Sequence, residues 1–450
     1  MKAAPPTPGP RRPFTPPPFT ETRLPSGLPV RAARWGKRPT AAVAILFPGA
    51  GSAGDPDGQE GASEIIAETF LGGTRRKNAR ELAAALDDLA AVLDVSAGAD
   101  SAVARLYVLE EDLEAGLALL AEVLTVASFP EDEFEKNRRR QIDTLAEQRS
   151  EPDFLARERL LDRLYPGHPY GRLTATEKGL QALTRDDVAA GAASRFSLGT
   201  ATVLVAGAAD ADRLLRAVEK AFGDLPRTGA PRPAVPPPTP VRNLSLHLVN
   251  RPGSVQTNLL FARPALPRRH PRFATALVAN QSLGGGASSR LFHVLREERS
   301  LTYGAYSALS PRVSAGHFGA AIDCRTEVTR DALDGLLGLI RDYAAGGPTA
   351  EEHARSVKNL LGTFVLGRET PGAILQDEVT RLLHGLPDDE FATWRERVAA
   401  VTPPEARDAA RDLFDPSIGV LTAVGDAAAI RPVLETLGEV TLWDADGPRP

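Results

Sequence analysis

The chain has 450 residues, 42% hydrophobic and 25% charged. These are globular proportions that exclude a fibrous or wholly disordered protein, and the length allows roughly three domains. The 53 basic and 58 acidic residues leave a net charge of −5, which gives no electrostatic reason to expect nucleic acid or an anionic membrane as partner. A single cysteine, Cys324, excludes an internal disulfide and a thiolate zinc cluster, and no apolar run approaches the roughly 18 residues of a membrane-spanning helix.

Residues 1–22 are proline-rich and carry no apolar block, which predicts a disordered, polyproline-like arm. A secretory signal needs such a block, so the expected compartment is the cytoplasm. From residue 23 onward, strands are predicted at 28–35 and 41–47, helices at 61–71 and 78–92, and a strand at 101–109. Helices follow at 113–126 and 131–164, then a helix from Thr184 to about Phe196 and a strand at 201–206. Seven prolines between Pro226 and Pro240 cannot donate to a helix or sheet, so 226–241 reads as a semi-rigid linker between domains 23–225 and 242–450. The second domain predicts strands at 244–250 and 255–261, helices at 272–283 and 288–299, and strands at 304–310 and 317–323. Long helices occupy 327–383, and a last helix and strand occupy 402–414 and 420–424. Closely spaced strand pairs with helices between the pairs define an α+β class with a mixed or mostly antiparallel sheet in each domain.

The domains repeat one another. Thr184, Phe196 and Gly207 are spaced 12 and 11 residues apart, and Thr402, Phe414 and Gly425 repeat both intervals at an offset of 218. Both threonines read as N-caps, and Pro403 stands where a first helical turn tolerates proline. Two matching intervals with matching residue types indicate a duplicated domain.

None of the seven histidines precedes His168, and no two stand four apart on one helical face. The segment Gly61-Ala62-Ser63-Glu64-Ile65-Ile66-Ala67-Glu68-Thr69-Phe70-Leu71-Gly72-Gly73-Thr74 nevertheless resembles the metal-binding helix of the inverted-zincin peptidases, the pitrilysin and mitochondrial processing peptidase family. That helix reads His-x-x-Glu-His and is followed by a Gly-Thr. In the register of the resemblance Glu64 and Glu68 stand at the two histidines, Ala67 at the general-base glutamate and Thr144 at the third ligand. The expectation is therefore no metal bound by this chain. Leu24-Pro25-Ser26-Gly27-Leu28 and Tyr165-Pro166-Gly167-His168-Pro169-Tyr170-Gly171 match two further family segments, with His168 read as a loop hydrogen-bonder.

The second domain keeps the family's other signature, from Leu283-Gly284-Gly285-Gly286 to Thr302-Tyr303. Arg296 and Tyr303 have the family's seven-residue spacing. The resemblance implies that they reach a substrate carbonyl and the oxyanion formed on water attack, for which guanidinium and phenol are suitable donors. It implies the non-zinc subunit of a heterodimeric metallopeptidase, with zinc in a homologous partner chain and an extended peptide pairing with a free strand edge. The rival expectations are a purely structural subunit and a peptide-binding module. Without a following Lys-Ser/Thr pair the glycine triplet reads as a close-packed turn, not a phosphate cradle. The basic runs at 75–77 and 138–140 read as solvated faces, and Cys324 as packing.

Overall fold

A computed structural model describes residues 14–227, 229 and 235–445. Two six-stranded sheets form its frame. The first is built from β1 (Thr20–Arg23), β2 (Pro29–Arg34), β3 (Thr40–Pro48), β4 (Val92–Ala97), β5 (Ser101–Leu109) and β6 (Thr202–Gly207), in the order β1-β2-β6-β3-β5-β4. The second is built from β7 (Leu244–Asn250), β8 (Gln256–Ala265), β9 (Ala305–Pro311), β10 (Gly316–Arg325), β11 (Gly419–Gly425) and β12 (Val440–Asp444), in the order β12-β7-β11-β8-β10-β9. β6 lies parallel to β2 and antiparallel to β3, and β11 lies parallel to β7 and antiparallel to β8. Both sheets are thus mixed, and the class is the expected α+β.

The duplication extends to the caps. Thr184 and Asp187 form a capping box, and so do Thr402 and Glu405. Each helix leads into the matching central strand, β6 or β11. The repeats part company at one edge: β1 comes from the amino-terminal side and runs antiparallel to β2, whereas β12 comes from the carboxy-terminal side and runs parallel to β7.

Each half lends the other a helix. Leu155, Leu160, Leu161 and Leu164 of the Pro152–Leu164 helix pack on Leu260, Ala262, Val420 and Val424 of the second sheet. Leu375 and Val379 of the Pro371–His384 helix pack on Ala42, Ala44, Leu204 and Ala206 of the first. The opposite sheet faces carry each half's own helices. Central strands are therefore buried on both faces, which is why β3 reads as the unbroken apolar run Ala41–Phe47 rather than an alternation.

Several expectations need correction. The helix predicted over 131–164 is two helices, because Pro152 opens a new one after Ser150. The long helices expected over 327–383 are present and number three: Gly347 adopts a left-handed φ of 73° and Thr349 and Thr370 cap the next two. The 78–92 helix stops at Asp88. Ala90 turns left-handed (φ 47°), and β4 follows with Leu93 and Val95 inward and Val92, Asp94 and Ser96 outward. The predicted disordered arm contains the first three residues of β1, and the Phe14 ring sits edge-on to Trp35 and Phe364, 5.9 Å from each. Residues 1–13 of that arm, and 228 and 230–234 of the linker, lie outside the described residues. Elsewhere the linker is tied down: the Pro236 carbonyl lies 2.8 Å from His168 Nε2, and Ser314 Oγ donates to the Val235 carbonyl at 2.5 Å.

Candidate functional site

The helix Ala62–Thr69 carries three of the four motif positions. Its amino terminus is fixed by Asp55. One carboxylate oxygen accepts the Gly61 N–H at 3.0 Å, and the other accepts the Ser63 N–H and hydroxyl. Arg195, 4% exposed, pairs with Asp55 at 2.7 Å and donates to the Gly51 carbonyl at 2.8 Å and to the Ser63 hydroxyl. The two terminal nitrogens of this buried guanidinium are paired, while its Nε has no partner among the described residues, and the pairing locks the helix start in place.

Ala67, where the family has its general base, is 1% exposed and part of the first domain's core. It offers a methyl group where proton transfer needs a carboxylate. Glu64 and Glu68 share one face at i, i+4. Burial, then Asp55, then Glu68 push the Glu64 carboxyl up to about 7. Glu68 is held by Arg140, whose Nη2 lies 2.8 Å from Glu68 Oε2. Arg140 belongs to the Glu131–Ser150 helix, one turn before Thr144. Thr144 lines a shallow surface groove with Lys136, Arg139, Arg140, Asp143 and Glu147. These residues do not fit zinc: there is no imidazole or thiolate, the base is absent, and one of the two carboxylates already has a cation. Among the described residues no group of three His, Cys, Asp or Glu is placed to hold a metal ion.

Arg296 and Tyr303 sit at the start of the second domain's outer strand pair. The helix expected over 288–299 is a short α-turn, Arg290–Phe292, that widens into a π-helix, His293–Glu298. Arg296 leaves this π-segment with its guanidinium 4.6 Å from the Phe292 ring centroid. Phe292 in turn packs against Tyr306 at 5.6 Å. Ser300, with φ 54°, turns the chain into the loop carrying Tyr303, which is 92% exposed. That loop is braced by Thr302 Oγ1, which accepts the Gly304 N–H, and by the Tyr306 ring over Gly304. A Cβ on Gly304 would fall 2.6 Å from that ring. Among the described residues the Arg296 guanidinium and the Tyr303 hydroxyl have no hydrogen-bond partner, and no bond joins them to the Ala62–Thr69 helix.

The other sequence features resolve as packing. A Cβ on Gly284 would lie 2.3 Å from the Ser307 backbone nitrogen, so the glycine triplet begins at a close backbone approach. Burial pushes the Cys324 thiol up to about 11, which leaves it unreactive near neutrality. His168 accepts the Tyr170 N–H and bonds the linker, as a loop residue. In the basic runs, Lys77 pairs with Glu122 and Arg138 with Glu135. Sequence reasoning missed Asp55 and Arg195, and it read Arg140 only as part of a solvated basic run. The first two are 140 positions apart with no local pattern linking them. Arg140 had a usable signal, its position one helical turn before Thr144.

A duplicated, mixed-sheet α+β protein with a helix that resembles a zinc-binding one but lacks its ligands, and with an exposed arginine and tyrosine, belongs to the class of peptidase-like proteins. Residues 34–178 match the family described as insulinase, peptidase family M16, and residues 182–360 match the peptidase M16 inactive domain. The chain belongs to peptidase family M16, the family that its resemblance to the inverted zincins implied. It is 27% identical over 433 residues to an uncharacterised zinc protease of Streptomyces coelicolor, covering 91% of each chain. It is 24% identical to the non-peptidase homologue YmxG of Helicobacter pylori, covering 78% of this chain and 80% of that one. A crystal structure of a peptidase M16 inactive domain from Pseudomonas fluorescens superposes with a TM-score of 0.85 at 24% identity, covering 91% of this chain and 98% of that one. No helix among the described residues is long and apolar enough to cross a membrane.

Proposed function

We propose that this chain is the zinc-free subunit of a two-chain peptidase. A homologous chain with an intact His-x-x-Glu-His helix supplies the metal, and this chain presents Arg296 and Tyr303 to the substrate carbonyl and the developing oxyanion. One observation carries the reading: two strong donors stand exposed with no acceptor among the described residues, while the first-domain motif is neutralised from within. A guanidinium held on the Phe292 ring and an exposed phenol on a braced loop keep their hydrogen-bond donors free, and they suit a charge that arrives from outside. β4 supports the peptide-binding half of the proposal. It is the outermost strand of the first sheet and lies beside the Ala62–Thr69 helix, so its free edge can pair with an extended backbone.

The name of the Helicobacter pylori relative, a non-peptidase homologue, favours the rival reading of a structural subunit. The two readings separate in a reconstitution. The purified chain is mixed with zinc-bearing homologues, and complex mass, zinc content and peptide cleavage are measured. The proposal expects a heterodimer with one zinc, cleaving only when both chains are present. Cleavage by the zinc chain alone at the same rate would leave the structural reading.

A further inference from the structure

The fate of the metal position points to a substitution of charge, not a simple loss of ligands. We propose that Arg140 is a resident cation that has taken the place of the family's metal ion, closing the first-domain site to divalent metals. The guanidinium reaches from the helix bearing Thr144, at the third-ligand position, to the helix bearing Glu64 and Glu68, at the first two. It lies 2.8 Å from Glu68 and thereby bridges the two elements that a metal would bridge. A guanidinium stays protonated at every pH a protein survives, so its charge is permanent. A metal that used Glu68 would have to displace that charge from Oε2 or sit beside it on the remaining oxygen, against its repulsion.

Three features of the surroundings agree. Both partners are partly exposed, so the pair contributes little to stability, and fold maintenance is a weak reason for it. Asp55, the other carboxylate near Glu64, is committed to Arg195 and to two backbone N–H groups, so Arg140 is the paired cation of this helix face. Two carboxylates four residues apart repel one another on a helix, and the Arg140 charge relieves that repulsion at Glu68. Without Arg140 they would form an all-oxygen pair of the kind that holds hard cations weakly.

The test uses the full chain and Mn²⁺ alone. Free Mn²⁺ is followed by electron paramagnetic resonance for the wild type, Arg140→Ala, Arg140→Lys and Arg140→Ala/Glu68→Gln, and circular dichroism shows that each variant is folded. The expected result is saturable binding of one ion by Arg140→Ala, with Kd about 10⁻⁴–10⁻³ M. The wild type should bind at least tenfold more weakly. Arg140→Lys, which keeps the charge, should resemble the wild type, and the double variant should lose what Arg140→Ala gained. Equal binding by wild type and Arg140→Ala would overturn the proposal, as would binding that survives in the double variant. Arg140→Lys behaving like Arg140→Ala would equally overturn it, because charge would then not be what closes the site.

Discussion

The zinc-helix region of the first domain and the arginine–tyrosine loop of the second treat their polar groups in opposite ways. In the first, charges are spent internally: Arg195 is fixed on Asp55, Arg140 on Glu68, and burial pushes the Glu64 carboxyl up to about 7. In the second, Arg296 rests on an aromatic ring and Tyr303 stands in solvent. The difference teaches where a duplicated fold can lose chemistry without losing structure. The helix at the position of the family's metal site is held by ion pairs, while the loop is braced by Phe292, Tyr306 and Gly304 yet unpaired at its tip among the described residues.

Breaking the first region at its anchor should have the largest effect. Arg195→Leu leaves Asp55 buried without its cation, and the loss of stability should be about 3–5 kcal/mol, read from urea denaturation. A smaller loss would show that the backbone N–H groups alone satisfy Asp55. On the second region's side, Gly284→Ala forces a methyl against the backbone of Ser307 and should cost about 1–3 kcal/mol. An unchanged melting temperature, with loss of phosphate binding, would revive the anion-cradle reading of the triplet.

The smallest effect concerns pH. The Glu64 carboxyl ionises near 7 in the folded chain against an ordinary value of 4.5, so the folded state holds a proton that the unfolded state releases. The resulting stabilisation is complete below about 4.5 and lost as pH rises through about 7. Glu64→Gln should therefore flatten the decline in unfolding midpoint between pH 5 and pH 8 and be the more stable variant at pH 8. A parallel pH profile for the two proteins would show that Glu64 is solvated like any surface carboxylate.

The duplication and most helices were legible in the sequence because their signals are local: Thr184 and Thr402 cap helices, and Pro152 marks a break that the 131–164 reading passed over. β1, β4 and β12 were not read. Val92–Ala97 alternates for only six residues directly after a helix, and Val440–Asp444 buries one residue of its five, so neither has a strong period. The exchange of helices between the domains lies beyond any local signal, since an apolar helix face does not state which sheet it covers. The same holds for the site. The family resemblance singled out Glu64, Ala67, Glu68, Arg296 and Tyr303 as candidates, but the ion pairs that neutralise the helix join residues 72 and 140 positions apart.

The central claim, that the second region acts on a substrate held by a zinc-bearing partner, is tested most directly by Tyr303→Phe in the assembled complex. The substitution removes one hydroxyl from a fully exposed side chain, so folding and assembly should not change. The account predicts a fall in kcat of about 10²–10³ with little change in KM, and a loss at least as large for Arg296→Ala. Undiminished kcat in a complex carrying both substitutions would contradict it and leave this chain a scaffold.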